Sequence, residues 1–564
     1  MKKKLFALLF VVTFFAQSVL PASAARTEMI KVGLRYGGSA LFSANLENEV
    51  GEGYEFGYYD EDRDFESLGW TDETAISMTA ADTIYMNSSG TYVSSEPDGS
   101  YEELGRWRVQ VDGFDDYEEA EEYAWDNGGW PAWIDFEFVA RFGCFDSRED
   151  AEDFADDLGE GDAVKTTDTG VVVTVTRTDE VIFEFDADGD EHLGVLPAGG
   201  DEDAETWFKG YKYPGGFEYR RMKGGNLSVI NVVDLETYVK GVIPYEMNGD
   251  WPLEALKAQA VCARTYACKT SKHLGPYGFD VCATTDCQVY YGTGSGGISP
   301  SKTSNRAVDK TEGEMLYYEG DLVQNAVYHS SNGGATEDCV NVWGGDKAYL
   351  QGKEDPFEAE IDIPNYEWSV TYTAEELTWI LEQKEYNIGT VKDVYVSEYT
   401  DLGNVREITF EGSRKDLVVT GETCRTIFYS STYGKSVKSM RFGINGSMPV
   451  SGGKSSGVYV NDDDTKLKTL EGVTVLSGKG TLSTLEGDSF TVLTADGTNT
   501  VKAGSGKNAS SSGSKNSKKG VFVIEGMGSG HNLGMSQYGA KAMAEAGYDY
   551  DEILEFYFTD ITIE

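Results

Sequence analysis

The stretch LEALKAQAVCARTYA, Leu253 to Ala267, constrains the fold more than any other, because a helix of such small side chains is stable only where neighbours approach closely. Pro252 stands where that helix would begin, and Leu253, Leu256, Ala260, Ala263 and Ala267 fall on one face. The pattern predicts an alanine-rich core helix. Gln259 borders the apolar face and Arg264 interrupts an alanine-rich stretch, so each is either a hydrogen-bonding strut or a wall of a site. Just ahead, GVIPYEM sets Glu246 in a short turn beside Pro244, Tyr245 and Met247, with Trp251 close in sequence. Apolar neighbours favour the neutral form of a carboxyl group, which makes Glu246 a candidate proton donor.

Upstream of that turn, the chain from Phe208 alternates apolar and polar residues around glycine-rich turns and reads as β-hairpins leading into a short helix. With 564 residues the chain has material for more than one domain, and the fold class is mixed α/β (α+β). The formal charge of −49 argues against nucleic acid as a partner, since phosphate binding needs clustered Lys and Arg. Lys2 to Lys4, an apolar run from Leu5, and Ala22, Ser23 and Ala24 describe a secretory signal over 1–24, cleaved before Ala25. An uncleaved anchor is the alternative; the first reading leaves no membrane span and places the mature protein outside the cell, secreted or associated with the wall.

An internal repeat comes next. WRVQVDGFDDYEEAEEYA (Trp107 to Ala124) runs parallel to FVARFGCFDSREDAEDFA (Phe138 to Ala155), with Phe114, Ala120 and Ala124 recurring as Phe145, Ala151 and Ala155. Two βα units should therefore share one small sheet, which Gly170 to Thr176 could close. These residues, over 104–178, resemble the SPOR domain, a small peptidoglycan-binding βαβ/βαβ module whose sheet face holds glycan strands lacking stem peptides.

Four ordered stretches carry a second resemblance. LETYVKGVIPYEMNGDWPLEALKAQAVCARTYA, FDVCATTDCQVYYG (Phe279 to Gly292), AVYHSSNGGATEDCVNVWGG (Ala326 to Gly345) and the closing IEGMGSGHNLGMSQYGAKAMAEAGYDYDEILEFYF from Ile524 look like the SpoIID/LytB family. The resemblance implies a SpoIID-like domain in three parts, 29–103, 179–447 and 520–564. It also implies lytic transglycosylase activity on peptidoglycan stripped of its stem peptides, with Glu246 as the catalytic acid/base. Such a reaction uses one carboxylate where a glycoside hydrolase uses two. The implied substrate-binding residues are Gln259, Arg264, Tyr290, His329, Ser330, Ser331, Gly333, Gly334, Glu337, His531 and Gln537. A Ser/His hydrolase at YHSS is the weaker reading, because neighbours on a strand point to opposite faces.

Departures from the family pattern fall at Asp286 and Ala335, where histidine is frequent, and in the closing motif, here GMGSGH. Cys282 and Cys287 allow a zinc site, a disulfide or two free thiols. Zinc takes four ligands, so His273 and Asp286 would complete the set. The chemistry at Glu246 requires no cofactor, and the resemblance makes structural zinc the metal to consider. Residues 448–519 hold strand-like alternation followed by a Ser/Gly/Lys linker. The partners expected are peptidoglycan glycan strands, with functional coupling to a cell-wall amidase. Two rival functions stay open: a non-catalytic glycan-binding protein that enhances an amidase, and an adhesive surface protein.

Overall fold

The computed structural model describes residues 29–48, 52–187, 189–198, 204–221, 225–269, 272–446 and 520–564, with backbone strands between 458 and 502. The signal segment 1–24 and the linker at 503–519 lie outside the described residues. In the stretch before that linker the backbone forms antiparallel pairs, among them Ser489–Thr494 with Gly497–Lys502. Among the described residues no helix is long and apolar enough to cross a membrane.

Contacts divide the chain into two compact units, Met1–Ala204 with Gly215–Leu235, and Glu205–Pro214 with Glu236–Glu564. The boundaries drawn from sequence at 104 and 179 separate motifs inside the first unit.

In the first unit the repeat folds as β-α-β-β-α-β. Trp107–Phe114 leads into α1 (Tyr117–Asp126), Trp130–Ile134 and Glu137–Phe145 follow, and α2 (Arg148–Leu158) leads into Asp162–Lys165. Asp116 and Ser147 cap the two helices, each accepting a backbone N–H three residues on. Alanines 120, 124 and 151 are wholly buried, and Val109, Ala140 and Phe142 meet Ala124 and Ala151 in one core. The sheet order is Asp162–Lys165, Trp107–Phe114, Glu137–Phe145, Trp130–Ile134, all antiparallel. Asp162–Lys165 forms the edge beside the first repeat strand, and the Gly170–Thr176 segment expected to close the sheet joins it away from that edge, as an interior strand beyond Val181–Asp186. Val171–Val175 lies between Ala75–Ala80 and Val181–Asp186. Its unbroken valine run is buried on both faces, which suits a central strand rather than an edge. The helix-free face of the repeat sheet carries a buried ion triad: Glu184 accepts from Arg108 at 3.1 Å and from Arg141 at 2.6 Å. Together the two guanidiniums hold its carboxyl group below the ordinary range against the opposing effect of burial.

The second unit is organised around the helix anticipated at 253–267. It runs as α4 (Leu253–Lys269) and is flanked by Lys302–Lys310, Gln537–Ala546 and Tyr550–Tyr557. It buries more than one face, since Ala255, Ala258, Val261 and Cys262 are as enclosed as Leu256 and Ala260. Small side chains let neighbours close in from several sides.

Glu246 is not in a turn. It is the last residue of α3 (Leu235–Glu246), which runs through Pro244. Proline removes one helical hydrogen bond, but Tyr238, Val239, Val242 and Ile243 are fully buried and their packing decides the local structure. The closing segment returns to the core as expected of it. Val521–Met527 inserts between Glu367–Thr373 and Phe442–Ile444, and Tyr328–His329 pairs in parallel with Met535–Ser536.

Candidate functional site

A cleft of about 1140 Å³ opens in the second unit, and Glu246 lines it together with Tyr328, His329, Ser330, His531 and Gln537. The end of α3, the strand Tyr328–His329 with Ser330 and the closing motif meet in it, and the loop carrying Asp286 and Cys287, Trp343 and Glu422 complete its walls. Helix packing fixes Glu246 from behind. Gly241 leaves room for the buried Tyr290 ring, since a Cβ there would lie 2.6 Å from the ring's Cε2. Tyr290 packs at 4.9 Å from Tyr238 and 5.8 Å from Tyr213, so it supports the floor of the cleft without lining it.

Burial pushes the Glu246 carboxyl group above the usual carboxylate range, opposed by hydrogen bonds from the Val289 backbone and the side chains of Gln537 and Tyr328. The carboxyl is thus both held in place and biased toward its protonated form. Gln537 in turn donates to the Gln259 carbonyl at 3.3 Å, so Gln259 orients a residue of the cleft from one layer behind it. Trp251 packs on Tyr538 at 4.8 Å. Among the described residues two other carboxylates face the cleft, and each is engaged. Asp286 pairs with Lys272 at 2.9 Å, while Glu422 accepts from the Trp343 indole at 2.8 Å and from Arg425 at 2.5 Å.

His329 and His531 stand 5.4 Å apart, ring to ring, with Trp343 against His531. Burial lowers His329 to about 3, the neighbouring His531 adding to the effect, and burial lowers His531 to about 4. Both imidazoles are therefore neutral at physiological pH. With the neutral His329 ring assigned to donate through Nδ1 to the Leu533 carbonyl at 3.0 Å, Nε2 is left as an acceptor with no hydrogen-bond partner among the described residues.

Several residues expected to bind substrate lie elsewhere. Arg264 is fully buried and forms a bidentate pair with Glu236, at 2.7 and 2.6 Å, and donates to the Glu314 carbonyl at 2.9 Å. It is a strut. Ser331 pairs backbone to backbone with Ser529. The N–H groups of Gly333 and Asn332 bind Glu358, whose carboxyl is pushed up to about 7 by burial and by the nearby Asp355 charge. Gly334 donates to the Asn332 side chain, and Gly333 and Gly334 have φ of 77° and 109°. These glycines make a turn that only glycine adopts readily. Glu337 is buried and takes Asn341, Thr400 and Asn404 as donors. Sequence reading missed Tyr328, Trp343 and Glu422 as wall residues. Tyr328, beside His329 in a quoted motif, carried a signal; Glu422 had none, because it reaches the cleft from a distant segment.

His273, Cys282, Asp286 and Cys287 place one donor atom each within 4.8 Å of one another. Two sulfurs, an imidazole nitrogen and a carboxylate oxygen at that spacing fit a tetrahedral zinc ion.

The SpoIID family, described as stage II sporulation protein, matches residues 223–318. An amidase enhancer of Bacillus subtilis (strain 168) is 33% identical over 354 residues, 58% of this chain and 40% of that protein. An uncharacterized protein of Brachyspira hyodysenteriae is 30% identical over 338 residues, covering 59% of this chain and 68% of the relative. Stage II sporulation protein D of Bacillus subtilis is 26% identical over 345 residues, 75% of its length. The chain belongs to the SpoIID/LytB family. It spans 40% of the amidase enhancer's length.

Proposed function

We propose that this protein is an exported peptidoglycan lytic transglycosylase of cell-wall remodelling or sporulation, which cleaves glycan strands stripped of stem peptides and leaves 1,6-anhydromuramyl ends. The observation that carries the proposal is the single carboxyl group at the end of α3, raised by burial and held by Tyr328, Gln537 and the Val289 backbone, beside two carboxylates already engaged by cations.

In this reading protonated Glu246 donates its proton to the bridging oxygen as the C1–O bond of the muramyl residue breaks. The C6 hydroxyl of the same sugar bonds to C1, and its proton passes to Glu246, which restores the acid. No water is consumed. Intramolecular attack stands in for a water-activating base because well-oriented internal nucleophiles reach effective concentrations on the order of 10⁵ M or more. The neutral imidazoles of His329 and His531 fit the same cleft as hydrogen-bonding partners for sugar hydroxyls, with no added charge.

The repeat module has no glycan role in this proposal. Its topology fits the SPOR resemblance, but Arg108, Trp130 and Arg141, on its helix-free face, are only 1%, 6% and 3% exposed. The zinc reading assigns His273, Cys282, Asp286 and Cys287 as ligands; the ion would hold the loop carrying Asp286 and Cys287 against the cleft wall and takes no part in the bond-breaking step.

The name of the amidase enhancer favours a second reading, in which the chain binds glycan and stimulates an amidase without cutting the strand itself. Product analysis separates the two. Wild-type protein should generate anhydromuramyl ends from amidase-stripped strands, and Glu246→Gln should lower that rate by roughly 10²–10⁴-fold. No cleavage by wild type, with amidase stimulation retained in Glu246→Gln, would establish the second reading.

A further inference from the structure

We propose that the cleft continues along a ladder of three tyrosines, Tyr245, Tyr291 and Tyr211, which forms an extended subsite for the sugar rings of a glycan strand. This inference rests on the transglycosylase reading for the identity of the strand. The geometry stands apart from it.

Tyr245 precedes Glu246 on α3 and lines the cleft. Its ring meets that of Tyr291 edge to face, with centroids 5.2 Å apart at 61°. Tyr291 meets Tyr211 at 4.7 Å and 35°. All three are partly exposed, whereas the adjacent Tyr213 and Tyr290 are buried. The outer rung is built into the fold. Tyr211 opens the second strand of the hairpin Glu205–Phe208 with Tyr211–Pro214, turned by Lys209 and Gly210 at φ 52° and 85°. The hairpin is fastened beside Tyr291 by a hydrogen bond from the Thr293 N–H to the Lys212 carbonyl at 2.9 Å. Gly292, at φ 58°, permits that approach, because a Cβ there would lie 1.9 Å from the same carbonyl oxygen.

A run of partly exposed aromatic rings leading out from a proton donor suits a polymer more than a small molecule. The apolar faces of pyranose rings lie against aromatic rings, and the tyrosine hydroxyls supply polar edges. The ladder is also uncharged in a chain of net charge −49, so it offers an acidic glycan no added repulsion. Its occupant is therefore a sugar chain extending beyond the bond to be cut.

The test measures binding of amidase-stripped glycan strands and of a short fragment, a disaccharide, to Glu246→Gln by calorimetry, in the presence and absence of Tyr211→Ala and Tyr291→Ala. The ladder predicts roughly tenfold weaker binding of long strands for each substitution, little change for the disaccharide, and recovery with Tyr211→Trp. The same tyrosine substitutions in the active protein should raise KM for long strands and leave kcat nearly unchanged. Equal affinity for long strands with and without the tyrosines would overturn the ladder, even if wild type cleaves glycan. Failure of wild type to cleave, with the length-dependent loss of binding intact, would overturn the transglycosylase reading and leave the ladder standing.

Discussion

At Glu246 two opposed effects set the chemistry. Desolvation favours the neutral acid, and donors from Val289, Gln537 and Tyr328 favour the carboxylate, with desolvation prevailing. An acid that must be protonated to work loses activity as pH rises through its own pKa, so the alkaline limb of the pH–rate profile should lie above the ordinary carboxylate range. Removing a donor to the charged form raises the pKa further. Tyr328→Phe should therefore shift that limb to higher pH, and an unmoved or lowered limb would show that the hydroxyl does not act on Glu246. The stability linkage has a matching sign. A folded-state pKa above the unfolded one contributes stability at low pH that is lost as pH rises through the folded value, so Glu246→Gln should gain stability relative to wild type on the alkaline side. Of the eleven residues the family resemblance suggested for binding, His329, Ser330, His531 and Gln537 line the cleft. The others were misplaced for a common reason: Arg264, Glu337 and the Gly333–Gly334 turn hold loops and helices around the cleft, and composition at those positions does not separate a strut from a wall.

Among the elements, α3 and α4 were legible to different degrees. The small-residue spacing revealed α4, though not its burial on further faces, which depends on helices far along the chain. Pro244 masked the end of α3, because proline signals a helix boundary and the buried Tyr238, Val242 and Ile243 override it. Gly241 tests how tightly that helix is placed. Alanine gains about 1 kcal/mol of helix propensity over glycine, but its Cβ would press on the Tyr290 ring, and overpacking costs about 1–3 kcal/mol. Gly241→Ala should destabilise the second unit in urea and displace Glu246, with a fall in cleavage rate; unchanged stability would mean that Tyr290 yields freely. The loop at 282–287 is tested by metal content. The four-donor set predicts one zinc per chain, lost with its thermal stabilisation in Cys282→Ser, and metal-free protein of wild-type stability would exclude it.

Over the whole molecule, order along the chain was easier to read than association in space. The repeat announced two βα units because its alanines recur at one spacing, and the closing motif had to return because His531 belongs with residues two hundred positions earlier. The edge of the repeat sheet was not legible, since Gly170–Thr176 and Asp162–Lys165 are both strand-like and only pairing shows that the first is interior and the second an edge. Similarly, the Arg108–Glu184–Arg141 triad joins residues from three strands that no local pattern connects. In the proposed reaction one carboxyl group suffices because the sugar supplies its own nucleophile. Cleavage of amidase-stripped glycan in heavy-oxygen water tests it most directly. Intramolecular attack gives new ends that carry no solvent oxygen and are lost with Glu246→Gln; heavy oxygen at new reducing ends would mean attack by water and would overturn the single-carboxyl mechanism.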